Sequence, residues 1–204
     1  MEPNALDKAM QALYWEANYL KRSKDDASVS NKFLAILPNV DVDFERFLTE
    51  RNIIKGTLLD IGTGTGEQAI YLARKGFVVT ATDISLKAVT EARQLSATQN
   101  IAVDFIKDDI LSTTLTGQFD IITDRGCYTV LPNSNNAAYL EAVKYLLAPG
   151  GWLLLKADRA NKQAIILLKE SGFFKIVFSE ASSYINLMGK TVKADFFALQ
   201  HLNN

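Results

Sequence analysis

The chain has 204 residues, 48% hydrophobic and 22% charged, and its 22 basic side chains nearly cancel 23 acidic ones to leave a net charge of -1. A chain of this size buries roughly 70% of the surface it exposes when unfolded, enough for one ample core, and its ordinary composition argues against disorder, collagen or a coiled-coil rod. The balanced charge argues against sequence-independent nucleic-acid binding and against a polybasic membrane surface, while the single cysteine excludes an internal disulfide, a four-thiolate zinc site and a cysteine-held iron-sulfur cluster.

A reducing, cytoplasmic setting fits this cysteine usage, and no metal ligand set is expected. Apolar runs all fall short of the ~18 residues of a membrane span, and Glu2, Asp7 and Glu16 interrupt the first twenty residues, so no secretory signal is expected. Leu6, Met10, Leu13, Tyr14, Ala17 and Leu20 recur at helical spacing behind Asn4, a suitable N-cap, and predict an amphipathic first helix. The charged run from Lys21 to Asp26 reads as a solvated turn. A short second helix over Asp43 to Arg51 offers Phe44, Phe47 and Leu48 as its apolar face.

From Thr57 the pattern changes to short apolar runs: Thr57 to Ile61, Phe77 to Thr82, Ile101 to Ile106, Phe119 to Thr123 and Trp152 to Lys156. Their near-continuous apolarity suits parallel strands covered on both faces. Between them lie helical segments near Glu67 to Lys75, Leu86 to Gln99, Asn136 to Leu147 and Arg159 to Glu170. Gly76 and Gly172 stand where helix C-caps are wanted and Ser85 where an N-cap is wanted. This alternation predicts right-handed crossovers and a doubly wound, mostly parallel α/β sheet. Phe173 to Ser179 and Val192 to Leu199 break the rhythm; with Met188-Gly189-Lys190 as part of a turn they predict a hairpin that brings in an antiparallel strand. The chain thus divides into a helical extension, residues 1–56, that could serve as a lid, and one compact unit, residues 57–204.

The most informative segment is Asp60-Ile61-Gly62-Thr63-Gly64-Thr65-Gly66-Glu67, which follows the first strand and opens the first crossover helix. Glycines there permit positive φ and close approach of a ligand, and the helix N-terminus offers free N–H groups. The spacing is Gly-x-Gly-x-Gly, not the Gly-x-Gly-x-x-Gly of a dinucleotide site, and Asp60 stands just before it. At about 4 Å an ionised carboxylate would repel a pyrophosphate by roughly 4 kcal/mol at an effective dielectric of 20, so Asp60 prefers a cation. Asp83, seventeen positions after Gly66, closes the second strand, where a carboxylate can accept both hydroxyls of a ribose or simply favour the N-terminus of the next helix. Together these features describe a nucleoside ligand with a positive end and no diphosphate.

From Thr57 onward the sequence resembles the class I, Rossmann-like methyltransferases that use S-adenosylmethionine, its hallmark being Asp60-Ile61-Gly62-Thr63-Gly64-Thr65-Gly66. The resemblance implies a seven-stranded sheet with a reversed final strand. It also implies a cofactor held by Asp60, Gly62, Thr63, Gly64 and Gly66 at its amino-acid part and by Asp83 with Ile84 at the ribose. An acid after the third strand meets the adenine: Asp109, with Ile110 against the ring, or Asp108 if the alignment slips by one.

The fourth strand runs into Asp124-Arg125-Gly126-Cys127-Tyr128, at the edge where open parallel sheets bind ligands. This loop resembles that of the small bacterial thiopurine and tellurite-resistance methyltransferases. Asp124 is the nearest candidate for proton removal from an acceptor, or else supports the loop or the methionine moiety. Arg125 could pair with a carboxylate of cofactor or substrate, or with Asp124. Cys127 and Tyr128 would face the acceptor, and Tyr14, Trp15 and Tyr19 would either form an aromatic lid over it or cover a sheet edge. His201, the one histidine, is expected in solvent. These readings describe a methyltransferase for a small-molecule acceptor; the alternatives are a non-catalytic S-adenosylmethionine-binding protein and an NAD-dependent oxidoreductase.

Overall fold

The computed structural model describes residues 5–25, 40–187 and 189–202, with side chains described only for 9–21 in the first of these segments. Asn4, Asp26 and Met188, assigned above to a cap, a turn and a hairpin tip, lie outside the described residues. Helices α1 (Ala5–Asp25) and α2 (Val42–Glu50) precede β1 (Thr57–Ile61), α3 (Glu67–Arg74), β2 (Val78–Asp83), α4 (Leu86–Gln99) and β3 (Asp104–Lys107). There follow β4 (Phe119–Arg125), a single turn of helix α5 (Cys127–Val130), α6 (Asn136–Leu146), β5 (Leu147–Asp158), α7 (Lys162–Glu170), β6 (Phe174–Ile185) and β7 (Thr191–His201).

These seven strands form one sheet in the order β3-β2-β1-β4-β5-β7-β6. The first five pair in parallel, and β7 runs antiparallel to both β5 and β6, so the reversed strand expected from the sequence is present. Strand order reverses between β1 and β4, which is where a doubly wound sheet opens a crevice at its carboxyl edge. Register aligns the ends there: Ile61 lies opposite both Thr82 and Asp124, and Asp83 opposite Lys107.

Helices cover both faces. On one, Tyr139, Leu140, Val143 and Leu146 of α6 and Leu168 of α7 pack on Ile61, Ile122, Leu153 and Leu155. On the other, Ile70 and Leu72 of α3 and Val89 and Ala92 of α4 pack on Leu58, Val79, Ile121 and Leu154. Phe44, Phe47 and Leu48 of α2, the apolar face read from the sequence, are buried in this second core, with Phe47 edge-on to Trp152 at 5.1 Å. Although it lies within residues 1–56, α2 shares its core with the sheet.

A buried ion cluster fixes α2 to the terminal hairpin. Lys156 of β5, 2% exposed, places Nζ 2.7 Å from Asp41 and 2.8 Å from Asp43, and donates to the Ser183 carbonyl of β6 at 2.9 Å. Ser182 donates to Asp43 as well, at 2.5 Å. Removing one member of such a cluster strands the remaining buried charge, at a cost of about 3–5 kcal/mol. The cluster also explains why β6 runs six residues beyond its expected end at Ser179: the polar Glu180 to Ser183 stretch stays paired with β7 and is held by Lys156.

Candidate active site

A cavity of about 610 Å3 opens at the carboxyl ends of β1, β2, β3 and β4, between α1 and the tip of the β6–β7 hairpin. Its floor is the glycine turn. Gly62, Gly64 and Gly66 have φ of +66°, +59° and +83°, a run of left-handed residues that leads the chain from β1 into α3 with Gly66 as the helix N-cap. A side chain at Gly64 would put its Cβ 2.9 Å from the Tyr19 hydroxyl, so this peptide passes close under α1. Thr63 donates its N–H to Thr82 O at 2.9 Å and ties the turn to β2.

Asp83 lines the cavity. Its Oδ2 accepts the Gly64 N–H at 3.0 Å and its Oδ1 the Ser85 N–H at 2.9 Å, so it holds the glycine turn and the start of α4 together. Burial pushes its carboxyl up to about 6 against the two N–H donors that favour the charge. Ile84 lies beside it in the wall. At β3, Asp108 and Asp109 both reach the cavity. Asp108 accepts from the N–H and hydroxyl of Thr114 at 2.9 and 3.1 Å; Asp109 caps the short 3-10 turn Ile110–Ser112, accepting the Leu111 N–H at 3.0 Å, with Ile110 lining the wall. Asp60 is 3% exposed beneath the turn, where it accepts the Thr123 hydroxyl at 2.7 Å. Burial raises its pKa, and the charge of Arg125 opposes that rise.

The acceptor-side expectations fare differently. Asp124 is fully buried and outside the cavity lining; it accepts from Cys127 N at 2.7 Å, Tyr128 N at 2.9 Å and the Tyr139 hydroxyl at 2.5 Å. Burial pushes its pKa up to about 7 despite these three donors. A carboxylate so enclosed holds the loop together and turns no oxygen into the cavity. Tyr128 is likewise in the core: it is 0% exposed, stacks obliquely on Tyr139 at 4.9 Å and donates to Ala164 O at 2.8 Å. The reason for both is α5, a helical turn too short to show a period, which directs Tyr128 inward over Asp124. Tyr14 is 60% exposed and turned outward, edge-on to Trp15 at 5.3 Å.

Arg125, Cys127, Trp15 and Tyr19 do line the cavity. Helix α1 is docked by Glu16, which accepts from the Ser85 hydroxyl at 2.6 Å and the Lys87 N–H at 3.2 Å. Cys127 is a free thiol whose pKa burial drives well up. His201 is half-buried, its Nδ1 2.9 Å from Leu147 O, and is not in open solvent as expected. Residues that sequence reasoning missed come chiefly from the hairpin: Tyr184, Ile185, Asn186 and Leu187 form one wall. The Tyr184 ring closes on Gly126, where a Cβ would meet its hydroxyl at 2.6 Å. Their only signal was the turn chemistry around Gly189, which marks a hairpin but not what its tip faces.

With this geometry in view, residues 58–151 match the family described as a methyltransferase domain. Over that stretch the chain is similar to methyltransferases. It is 32% identical over 150 residues to a release factor glutamine methyltransferase of Streptococcus pneumoniae, covering 71% of this chain and 53% of that one. It is 29% identical over 124 residues to a ubiquinone biosynthesis O-methyltransferase of Pseudomonas paraeruginosa, covering 59% and 52%. The chain therefore spans about half the length of these relatives. In fold it is similar to magnesium protoporphyrin IX methyltransferase of Synechocystis with bound S-adenosylmethionine, with a TM-score of 0.73 at 18% identity, over 98% of this chain and 100% of that one. The chain thus has the Rossmann-like architecture that the resemblance implied.

Proposed function

We propose that the chain transfers a methyl group from S-adenosylmethionine to a small-molecule acceptor. The observation that carries the reading is the convergence, in one cavity, of the left-handed glycine turn with Asp83 and Asp109, all facing the space under α1. Asp83 would take the ribose hydroxyls, Asp109 the adenine amino group, and the turn with Asp60 behind it the methionine end. When bound, the cofactor supplies an electrophilic methyl carbon on a sulfonium. The protein's part is to align donor and acceptor and to exclude water, which can supply much of the acceleration of an in-line displacement.

Acceptor size follows from enclosure. The cavity volume of about 610 Å3 lies within the ~300–1,000 Å3 usual for small-molecule pockets, and much of it would go to the cofactor. Specificity would rest on the extension of residues 1–56, the loop after β4 and the hairpin tip. The near-neutral charge and the lone free thiol support a soluble partner in a reducing cytoplasm; no described helix is long and apolar enough to cross a membrane.

Calorimetry with S-adenosylhomocysteine tests the reading. Wild type should bind it and not NAD. Asp83→Ala should weaken that binding at least tenfold, as expected for losing one or two hydrogen bonds to a charged group at about 1.5–3 kcal/mol each. Binding of NAD in its place would overturn the proposal. Because Asp124 is enclosed, a non-catalytic cofactor-binding protein is the second reading, and an assay of methyl transfer over thiols, phenols, amines and carboxylates separates the two.

A further inference from the structure

Resting on the methyl-transfer reading, we propose that the acceptor is an apolar molecule whose nucleophile is an anion, a thiolate, phenolate or carboxylate, held by Arg125. Among the described residues four carboxylates line the cavity, Glu67, Asp83, Asp108 and Asp109, and all belong to the β1–β3 side. Each has work there: Asp83 accepts the Gly64 and Ser85 N–H groups, Asp108 that of Thr114, Asp109 that of Leu111, and Glu67 accepts the Thr65 hydroxyl at 2.8 Å. The opposite wall is mainly apolar, built from Cys127, Val130, Leu131, Ile185 and Leu187 with Tyr184 and Asn186 among them, and Arg125 lines the cavity on this side.

Apart from Lys21 on α1, Arg125 is the one cation among the described residues of the lining. It is half-buried, and its charge is felt by Asp60 below and by Tyr184 beside it. A guanidinium has five N–H donors in a planar fork, so it can serve a neighbouring carboxylate and an incoming anion together.

Among the described residues, this wall has nothing to receive a proton. Asp124 is sealed under Cys127, Tyr128 and Tyr139. Tyr184 and Cys127 are acids weakened by burial, the former pushed up to about 12. An alcohol or ammonium acceptor would have to shed its proton during transfer, with no described group on that side to take it. An anion needs none: its lone pair forms the bond to the methyl carbon, the carbon–sulfur bond breaks with its electron pair remaining on sulfur, and the two opposite charges cancel.

The test is binding as well as turnover. Wild type, Arg125→Met and Arg125→Lys, each saturated with S-adenosylhomocysteine, would be titrated calorimetrically with 2-naphthoate and with its neutral counterpart 2-naphthamide. Wild type should prefer the acid at least tenfold, Arg125→Met should lose the preference, and Arg125→Lys should retain part of it. S-adenosylhomocysteine affinity should stay within about threefold in all three, which also shows that the variants fold. In turnover, 4-nitrothiophenol should be methylated and 4-nitrobenzyl alcohol should not, with a rate that follows the thiol's own ionisation.

Equal binding of acid and amide by wild type would overturn the assignment. So would an Arg125→Met protein that loses S-adenosylhomocysteine tenfold, because the guanidinium would then belong to the cofactor's carboxylate. Wild type that bound no S-adenosylhomocysteine at all would remove the methyl-transfer reading itself, a different failure from bound cofactor product with no preference for the anion.

Discussion

Two strand-to-helix turns stand side by side at the carboxyl edge of the sheet, after β1 and after β4, and each combines a buried aspartate with a left-handed glycine. After β1, Asp60 lies below the turn on the Thr123 hydroxyl, and the glycine backbone above it, tied to Asp83 and Thr82, forms a cavity floor. After β4, Asp124 turns back on its own loop and takes two N–H groups of α5 and the Tyr139 hydroxyl, while Tyr184 closes over Gly126. The same ingredients therefore make a cavity floor in one place and a structural plug in the other. What decides is which carboxylate takes the following N–H groups: Asp83 of the neighbouring strand holds Gly64 in the first turn, whereas Asp124 turns back on its own loop in the second.

Replacing the plug should give the largest effect. Asp124→Ala would leave three donors unpaired in the core, at about 1–3 kcal/mol each, less the relief of no longer burying a carboxyl. A net loss of about 3–5 kcal/mol is expected, read as a large fall in the urea midpoint. If Asp124→Ala unfolded like wild type but stopped turnover, the contrast between the two turns would collapse and Asp124 would be a proton acceptor after all.

The first turn was legible in the sequence because its signal is local. Three alternating glycines, an acid before them and an acid ending the next strand mark the left-handed backbone and the carboxylate that holds it, and Ser85 caps α4 as read, accepting the Ala88 N–H at 3.2 Å. The parallel core was legible for a similar reason: strands buried on both faces are apolar throughout. That same continuity hid the second turn, since apolar residues on both faces of β4 give no clue to which side Asp124 or Arg125 points. The long hairpin was hidden by its composition. Glu180-Ala181-Ser182-Ser183 does not read as strand, and it is held by the long-range bonds of Lys156 and Asp43, from residues distant in the chain.

Glycine replacements sharpen the contrast at intermediate cost. A Cβ at Gly66 would lie 2.8 Å from both Ala92 Cβ and Phe105 Cζ, in packed core, with φ at +83°. Left-handed strain of ~1–2 kcal/mol and overpacking of ~1–3 kcal/mol predict that Gly66→Ala loses about 2–4 kcal/mol of stability and weakens S-adenosylhomocysteine binding. At Gly126, with φ at +102°, the obstacle is the tip of Tyr184. Gly126→Ala should cost less, about 1–2 kcal/mol, leave S-adenosylhomocysteine affinity within about threefold and alter acceptor KM instead. Equal effects of both changes on cofactor affinity, measured by calorimetry, would mean that the second turn also meets the cofactor.

The smallest effect is a pH dependence whose sign differs between folding and binding. Asp83, pushed up to about 6, and Asp124, pushed up to about 7, both hold their protons more tightly folded than unfolded. Carboxylates raised in this way contribute stability that is present below their unfolded pKa and is lost as pH rises through 6 to 7. The ligand-free protein should therefore gain stability from these two groups as pH falls from 7.5 to 5. Binding runs the other way. Ribose hydroxyls are best accepted by the ionised Asp83, and by pH 5 only about a tenth of that carboxyl is ionised in the free protein, so S-adenosylhomocysteine affinity should fall roughly tenfold, or about 1.4 kcal/mol. Asp83→Asn, with no group to titrate there, should bind weakly at every pH and lose most of the slope. An affinity that held constant from pH 7.5 to 5 in wild type while stability rose would detach Asp83 from the ribose and leave it only the two N–H groups it holds at Gly64 and Ser85.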